Sequence, residues 1–211
     1  MICGYEWGYS KEDQKLDESG EECFYNKDAI TTFSNKSPMY GDKAFTWRYD
    51  NRIIKWFDMW GHPLNRDGLG GDFEKSIIQT NWCDTQANKI NENYYHKLTN
   101  SRQLDNFIHH IKTFEPSLIL FMGSEIIKIL QDENVLNDFC KIMGNPKSKP
   151  HIIQKPFEGC RFKIGFQEFD RCKIISMPHP SSSRGLSDDY MSLFSDEISC
   201  LITELKEING V

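Results

Sequence analysis

The sequence has no apolar run long enough to cross a membrane, no Cys-x-x-Cys pair and no glycine-rich P-loop motif. A membrane-spanning helix needs about twenty mostly apolar residues, and charged residues, 27% of this chain, interrupt the apolar runs well before that length. The first residues, Met1-Ile2-Cys3-Gly4, lack the basic start and apolar stretch of a secretory signal peptide. These absences predict a cytoplasmic protein that has no membrane as a partner.

Cysteine usage argues against a cross-linked or zinc-bound protein. The seven cysteines are odd in number and irregularly spaced, whereas disulfide frameworks use even sets and structural zinc sites use closely spaced pairs. We therefore expect reduced thiols, and we expect neither a metal site nor a cofactor.

Length and charge limit the size of the fold and the choice of partners. With 211 residues, the chain is expected to form a single domain, residues 1–211, with its own core. Its formal net charge of −6 disfavours a general nucleic-acid binder, because phosphate contacts need local positive charge. Acidic residues are concentrated at 11–22, whereas residues 141–155 are basic. We interpret the polar stretch at 11–26 as a surface insertion.

Apolar runs alternate along the chain with stretches of helical periodicity. Strands are predicted at residues 1–3, 76–80, 117–122, 161–169 and 172–177, the last two as an antiparallel pair. Helices are predicted at residues 46–61, 101–114, 126–130, 135–142 and 187–208, with a turn at 37–41. This alternation predicts an α/β fold, a three-layer α/β/α sandwich with a mainly parallel central sheet.

The strand predicted at residues 172–177 ends in an unusual segment. Pro178, His179 and Pro180 follow it, and then come three serines, an arginine and a glycine. Proline fixes φ and removes a backbone donor, so His179 is expected in a stiff, non-helical segment. Such a segment can hold one imidazole ring in a fixed direction over a cleft. A structural turn histidine is the alternative, and local sequence alone favours the two about equally.

Polar or small residues also follow three other predicted strands. Glu6 comes after the first strand, Asn81 after the second, and Gly123-Ser124 after the third. In open α/β sheets, ligands bind beyond the carboxyl ends of the strands, so we expect these residues to compete with His179 for one site. Each also has a simpler interpretation, because Asn81 is typical of a turn and Glu6 of a solvated carboxylate.

Two other features are interpreted as structural. Cys83 has no histidine beside it in the sequence, so a buried thiol is a better interpretation than a nucleophile. His109 and His110 fall near the polar side of a predicted helix, and no other histidine or cysteine has metal-ligand spacing to them. We interpret both histidines as surface residues.

Four segments, taken in order, resemble the motifs of the uracil-DNA glycosylase superfamily. Gly4-Tyr5-Glu6-Trp7-Gly8 resembles the first motif, although Trp7 stands where the family has proline and Glu6 where it has Asp or Asn. Thr80-Asn81-Trp82-Cys83 is similar to the strand end that reads the base. Residues 118–123 resemble the apolar strand that ends in glycine, and His179-Pro180-Ser181 resembles the His-Pro-Ser motif. The resemblance covers most of the chain.

The resemblance implies a uracil-DNA glycosylase-like fold and a monofunctional DNA glycosylase. Such an enzyme hydrolyses the N-glycosidic bond of uracil or a related deaminated base in DNA, during base excision repair. The implied partner is DNA that contains the damaged base, and the implied enzyme is a cytoplasmic monomer without metal or cofactor. Some branches of the superfamily bind an iron–sulfur cluster through four cysteines; this sequence lacks that spacing, so it resembles the cluster-free branches.

The same resemblance assigns roles to individual residues. Glu6 would position or deprotonate the attacking water. His179 would donate a hydrogen bond to the base oxygen as negative charge builds there. Asn81 would pair with the base edge, because its side chain carries both a donor and an acceptor. Residues 37–41 resemble the family segment whose aromatic residue stacks on the base. Met39 stands at that aromatic position and Tyr40 next to it, with Phe33 and Trp82 as alternatives.

The segment after His179 is expected to contact DNA. Ser181, Ser182 and Ser183 would bind phosphates with hydroxyl and backbone N–H groups. Arg184 or Leu186 would fill the gap that the extracted base leaves in the helix.

Two interpretations from other classes remain open at this point. In the first, the chain keeps the fold but is a non-catalytic module that binds nucleic acid or nucleotides, as the altered first motif and the acidic charge favour. In the second, it is an unrelated α/β hydrolase or small-ligand protein, although the sequence offers no complete catalytic triad for that chemistry.

Overall fold

The computed structural model describes residues 1–8, 14–15, 18–20, 31–65, 70–87 and 94–211. Most of the proposed acidic insertion at residues 11–26 lies outside these ranges. None of the helices in the described ranges has the length and apolar character needed to span a membrane.

A seven-stranded mixed sheet forms the centre of the fold. In spatial order its strands are β3 (Thr31–Thr32), β4 (Ile78–Asn81), β1 (Ile2–Gly4), β6 (Leu118–Met122), β9 (Lys173–Met177), β8 (Ile164–Glu168) and β7 (His151–Ile153). The four central strands, β4, β1, β6 and β9, run parallel to one another, and the other three pair antiparallel. Two short strands, β2 (Trp7–Gly8) and β5 (Gln86–Ala87), form a separate parallel pair.

Helices flank the sheet. They are α1 (Lys36–Tyr40), α2 (Arg48–Met59), α3 (Asp72–Ser76), α4 (Tyr94–Leu98), α5 (Ser101–Phe114), α6 (Ile126–Ile129), α7 (Glu133–Met143), α8 (Asp188–Ser192) and α9 (Ser195–Asn209). Short 3-10 helices at Phe33–Asn35 and Asp42–Thr46 surround α1. The α/β class predicted from the sequence is therefore confirmed, with a mixed sheet and helices on its faces.

The sheet separates two hydrophobic cores, because neighbouring strand residues point to opposite faces. On β6, Leu118, Leu120 and Met122 join one core, and Ile119 and Phe121 join the other. The first core packs against α2, α8 and α9, and we call it the α2-side core. The second packs against α4 to α7, and we call it the α5-side core. Every residue of β6 is buried, as its continuous apolar run predicted.

The longer helices form where the apolar spacing predicted them. In α2 the buried residues Ile53, Trp56 and Phe57 lie on one stripe. The side chain of Asn100 caps α5 by accepting a hydrogen bond from the Arg102 amide at 3.1 Å. Glu115 ends that helix in the left-handed conformation, with φ of 39°.

Two predicted segments differ from the structure near the sheet edge. Of residues 37–41, predicted as a turn, the first four belong to helix α1 and Gly41 caps its end. Pro38 is compatible with this helix because it lies in the first turn, where an amide has no helical partner to lose. The strand predicted at 76–80 begins only at Ile78, because Asp72–Ser76 is helical. Glu74 stabilises the start of that helix by accepting a hydrogen bond from the Gly71 amide at 2.7 Å.

The single helix predicted at residues 187–208 is in fact two helices. The helix is interrupted at Leu193 and Phe194, whose amides donate to carbonyls three residues earlier, on Tyr190 and Met191. Phe194 is fully buried and packs edge-on against the Tyr190 ring at 5.5 Å. A regular 3/4 stripe continues across the break, which is why the sequence did not reveal it.

The described cysteines are free thiols. Burial raises the pKa of the Cys83 and Cys172 thiols to about 12. Cys83 is 1% exposed, so its interpretation as a buried thiol agrees with the structure. A thiol with so high a pKa is a poor nucleophile near neutral pH.

Trp82 should be one of the main contributors to the stability of the α5-side core. Its ring stacks on Phe107 with centroids 3.7 Å apart, and its Nε1 donates to the Leu98 carbonyl at 3.0 Å. Replacing Trp82 with alanine should lower the free energy of unfolding by about 3–5 kcal/mol, because the packing of the ring is removed and a cavity remains. Urea unfolding measures this. Ile208→Ala, at a side chain 68% exposed, should change it by less than about 0.5 kcal/mol; equal losses would contradict this account.

Candidate functional site

The strand order reverses at β1, and this reversal places the candidate site. From β1 the chain passes to β4 on one side and later to β6 on the other. Ligands of doubly wound sheets bind in the crevice at the carboxyl ends of the strands beside such a reversal. Gly4, Asn81, Met122 and Met177 are the last residues of the four parallel strands, so they and the residues just after them line this edge.

The His179 ring is held by the backbone of its own loop. Its Nδ1 accepts hydrogen bonds from the amides of Ser181 at 3.2 Å and Ser182 at 3.3 Å. An amide can only donate, so Nδ1 must carry the lone pair and the ring proton must lie on Nε2. This arrangement fixes the tautomer that the sequence alone could not give.

His179 is a neutral hydrogen-bond donor at neutral pH. Burial lowers its pKa from 6.5 to about 4, because desolvation disfavours the charged imidazolium. The Nε2–H has no hydrogen-bond partner within the described ranges. The ring therefore offers one oriented, uncharged donor at the edge of the sheet.

Tyr49 of helix α2 links His179 to the neighbouring strands. Its ring centroid lies 5.3 Å from that of His179, with 51° between the planes. Its hydroxyl lies 3.9 Å from the point that a Cβ on Gly4 would occupy. Burial raises the pKa of Tyr49 well above the ordinary value, so the side chain remains a neutral phenol.

Asn81 lies directly against the backbone of Gly4, its register partner on β1. A Cβ at Gly4 would be 2.3 Å from Asn81 Oδ1, so only glycine leaves room for the amide. The side chain has no hydrogen-bond partner among the described residues. Asn81 and Tyr49 thus lie beside Gly4 on the α2 side of the sheet, and His179 packs on Tyr49; we call these three residues the strand-end cluster.

Gly123 likewise leaves room for a neighbouring side chain, on the α5 side of the sheet. A Cβ at this position would lie 2.1 Å from the Tyr5 ring, which is buried and packs against Tyr94 at 4.5 Å. The Gly123 carbonyl accepts a hydrogen bond from the buried Ser176 hydroxyl at 2.8 Å. Gly123 and Ser124 therefore support the strand ends rather than present a polar group to the cluster.

Glu6 does not join the strand-end cluster in this structure. Its carboxylate accepts hydrogen bonds from Thr85 at 3.0 Å and Tyr94 at 3.4 Å, and it forms an ion pair with Lys97. Tyr94 and Lys97 belong to α4, on the α5 side of the sheet. The structure thus brings Asn81 and His179 together through Tyr49, and it holds the carboxylate of Glu6 in a separate set of contacts.

Arg52 tethers the loop that carries His179. Its guanidinium donates to the Pro180 carbonyl and the Asp188 carboxylate, each at 3.0 Å, and to the Leu186 carbonyl. One side chain therefore holds both ends of the loop. Sequence reasoning missed Arg52 and Tyr49, because each acts on a residue far away in the chain: Arg52 bonds to Pro180, and the Tyr49 ring packs on His179.

A buried ion pair lies behind the cluster. Lys36 of α1 pairs with Asp50 of α2, and their side chains are 9% and 4% exposed. Gln79, two residues before Asn81 on β4, donates to the same Asp50 oxygen at 3.4 Å. Burial lowers the pKa of Lys36, and the Asp50 charge opposes that shift. Breaking such a pair leaves a buried charge uncompensated, so it fixes α1 against α2 beside Tyr49.

The residues expected to stack on a ligand are distributed differently from the prediction. Tyr40 is partly buried, with its ring 5.6 Å from that of Trp47. The Met39 side chain lies outside the described part of the chain. Phe33 and Trp82 were wrong as alternatives, because both are fully buried in the cores and cannot reach the strand-end cluster. Tyr49 is the aromatic ring that contacts His179.

The loop residues also have defined places. The Ser181 and Ser182 amides bond to His179 Nδ1, and the Ser183 amide bonds to the His179 carbonyl at 3.3 Å. A phosphate that used these amides would compete with the His179 ring. Arg184 is exposed, whereas Leu186 is 6% exposed in the α2-side core, so Arg184 is the one that reaches solvent.

His110 differs from its predicted surface position. It is partly buried, and its Nδ1 lies 3.1 Å from the Thr80 hydroxyl on β4. Within the ranges that the structure describes, no three His, Cys, Asp or Glu side chains are grouped as metal ligands. Open surface depressions of about 490 and 430 Å³ lie along α9, and His62 also lines the second.

The neutral state of His179 should be visible in an NMR pH titration. The ring should titrate near pH 4 rather than 6.5, with the nitrogen shifts of an Nε2–H tautomer. Between pH 6.5 and about 4 this histidine binds a proton in the unfolded chain but not in the folded protein. The free energy of unfolding should therefore fall as the pH is lowered through this range. Urea unfolding at pH 7 and pH 5 measures this, and His179→Gln should remove that share of the pH dependence. A midpoint at or above 6.5 would contradict the burial.

Comparison of the sequence with models of known protein families, and with curated proteins, finds no match to this chain.

Proposed function

We propose that the chain is a monofunctional DNA glycosylase that hydrolyses the N-glycosidic bond of uracil or a related deaminated base in DNA. The enzyme belongs to base excision repair and needs no metal or cofactor. It acts as a cytoplasmic monomer with a three-layer uracil-DNA glycosylase-like fold. The proposal joins the resemblance of the strand-end motifs to the geometry of the strand-end cluster.

The observation that carries the proposal is the Nε2–H of a neutral His179, which no residue in the described ranges accepts. When the glycosidic bond breaks, its electron pair leaves with the base, and negative charge builds on the base oxygen. A donor already oriented toward that charge stabilises the transition state without reorganisation. The backbone amides of the His179 loop fix the tautomer and direction of this donor.

Asn81 supports the recognition of a base beside that donor. Its side-chain amide, which has no partner among the described residues, carries an N–H donor and a carbonyl acceptor. These complement the adjacent acceptor and donor on the edge of uracil. Tyr49 can pack on one face of the base while its hydroxyl remains near Gly4. A base held by these three side chains would lie over the bare backbone of Gly4.

Water must reach the sugar carbon from the side opposite the leaving base. Its oxygen bonds to that carbon, and its proton passes to a carboxylate or to solvent. Glu6 takes this role in the proposal, because it follows the end of β1 by two residues. For that step the carboxylate has to turn from Thr85 and Tyr94 toward the strand-end cluster.

A second candidate function is favoured by one observation. Glu6 is held by Lys97, Thr85 and Tyr94 on the α5 side of the sheet, which leaves the strand-end cluster without a water-activating group. A protein with this geometry would bind a nucleobase in DNA or a nucleotide and leave the glycosidic bond intact. Base release separates the two functions.

The glycosylase should release base from uracil-, hypoxanthine- or xanthine-containing oligonucleotides, and alkali treatment followed by electrophoresis detects the resulting abasic sites. His179→Ala should reduce the rate by about 10²–10³-fold, the loss typical of one oxyanion donor. Glu6→Gln should also reduce it. If the wild-type protein produces no more abasic sites than His179→Ala on any of the three substrates, the glycosylase is excluded, and binding without release selects the second function.

Gly4→Ala should impair the site without unfolding the protein. The new Cβ would meet Asn81 Oδ1 at 2.3 Å, so the amide must move, and a displacement of about 1 Å can lower a rate by about 100-fold. The rate of base release, together with the NMR signal of the Asn81 side-chain amide, measures the effect. Gly8→Ala is the matched control, because its Cβ would meet nothing within 4 Å. Equal activities of the two variants would count against Asn81 as the base-binding residue.

A further inference from the structure

Three exposed cations belong to the His179 loop or to the segment just before β8, the strand that pairs with β9. Elsewhere on the described surface, many exposed lysines form ion pairs, as Lys128 does with Glu125, Lys141 with Asp138 and Lys147 with Glu168. Arg161, Lys163 and Arg184 are exposed and form no ion pair within the described ranges. An ion-paired lysine must give up its carboxylate before it binds another anion, whereas these three cations are available.

The segment that carries Arg161 and Lys163 leads into β8, beside the strand that ends at the candidate site. Strands β8 and β9 pair antiparallel, with Gly165 opposite Ser176. Lys163 immediately precedes β8 and Pro178 immediately follows β9, so both lie at the same end of this strand pair. The Lys163 carbonyl also accepts a hydrogen bond from the Ser124 hydroxyl at 3.1 Å, and Ser124 follows the carboxyl end of β6. The segment therefore lies across the same edge of the sheet as the strand-end cluster.

The backbone between these two cations is anchored. The Phe162 carbonyl accepts a hydrogen bond from the buried Tyr190 hydroxyl, and the Phe162 ring packs against the α2-side core. Phe162 is thus held inward while Arg161 and Lys163, on either side of it, are exposed. Arg184 approaches the site from the loop whose two ends Arg52 holds.

We propose that Arg161, Lys163 and Arg184 form a phosphate-binding edge for the DNA strand that enters the strand-end cluster. This inference rests on the proposed function and extends it to the backbone of the substrate. Arg161 and Lys163 bind phosphates on the β8 side of His179, and Arg184 binds on the side of the His179 loop. A strand held on both sides presents one nucleotide to Asn81 and Tyr49.

The charge of the whole protein makes a local cationic edge necessary for this partner. A chain of net charge −6 repels DNA at long range, so binding must depend on positive charge where the strand makes contact. The serine amides of the His179 loop are bonded to His179 and are not free to bind phosphate. The cations carry that role instead.

The simplest alternative is that these side chains are ordinary solvated cations. Two other exposed lysines provide a direct comparison. Lys112 lies near the carboxyl end of α5, and Lys149 shortly precedes β7, so both are at the opposite edge of the sheet. Neither forms an ion pair within the described ranges. They match Arg161 and Lys163 in charge and exposure and differ in position.

Fluorescence anisotropy of a labelled, uracil-free single strand, measured over a series of salt concentrations, tests the edge. Arg161→Ala/Lys163→Ala should weaken binding at low salt by about tenfold. The steepness of the fall of log affinity with log salt should also decrease by about 1.4, because each phosphate neutralised on a single strand contributes about 0.7 to that steepness. Lys112→Ala/Lys149→Ala should leave both quantities near their wild-type values.

The outcomes separate this edge from the proposed activity. Wild-type affinity and slope in the Arg161/Lys163 variant, or equal losses in the two double variants, overturn the edge even if the wild-type protein releases uracil. Selective loss of binding in the Arg161/Lys163 variant supports the edge even if no base is released, and then only the glycosylase activity is excluded. No measurable binding of the strand by the wild-type protein at low salt overturns the edge.

Discussion

The four central strands run in one direction, and most of the site depends on that alignment. Because β4, β1, β6 and β9 are parallel and neighbouring, residues more than 170 positions apart in the chain, such as Gly4 and His179, meet at one edge. The alignment also brings backbones close together. Gly4 gives room to Asn81, and Gly123 gives room to Tyr5. A side chain at either glycine would push one of these groups away from the strand ends.

The groups around His179 are oriented before any ligand arrives. Backbone amides hold its Nδ1, the Tyr49 ring lies against its ring, and Arg52 joins both ends of its loop to helix α2. The loop is already ordered in the folded protein, so ligand binding does not have to supply the free energy of ordering it. Asn81 and the Nε2–H of His179, by contrast, remain without partners among the described residues. These two polar groups lie at the strand ends, on the side of the sheet that carries helix α2.

The sequence predicted the elements that depend on local residue patterns. The apolar stripe of α2, the buried run of β6 and the position of His179 after a strand were all visible in local patterns. Tyr49 and Arg52 were not visible, because their roles arise from contacts with residues about 130 positions away: the Arg52 hydrogen bond to Pro180 spans 128 positions. The direction of Glu6 could not be predicted either, since it depends on Lys97 and Tyr94 in a separate helix.

The contacts that fix the His179 ring involve the main chain of the loop, and this has a consequence for sequence variation. The Ser181 and Ser182 amides would bond to Nδ1 whatever side chains those residues carried. Many substitutions at positions 182 to 184 should therefore leave the imidazole in place. Proline is the exception at 181 and 182, because it has no amide hydrogen. The loop tip can thus vary in sequence while the histidine keeps its orientation.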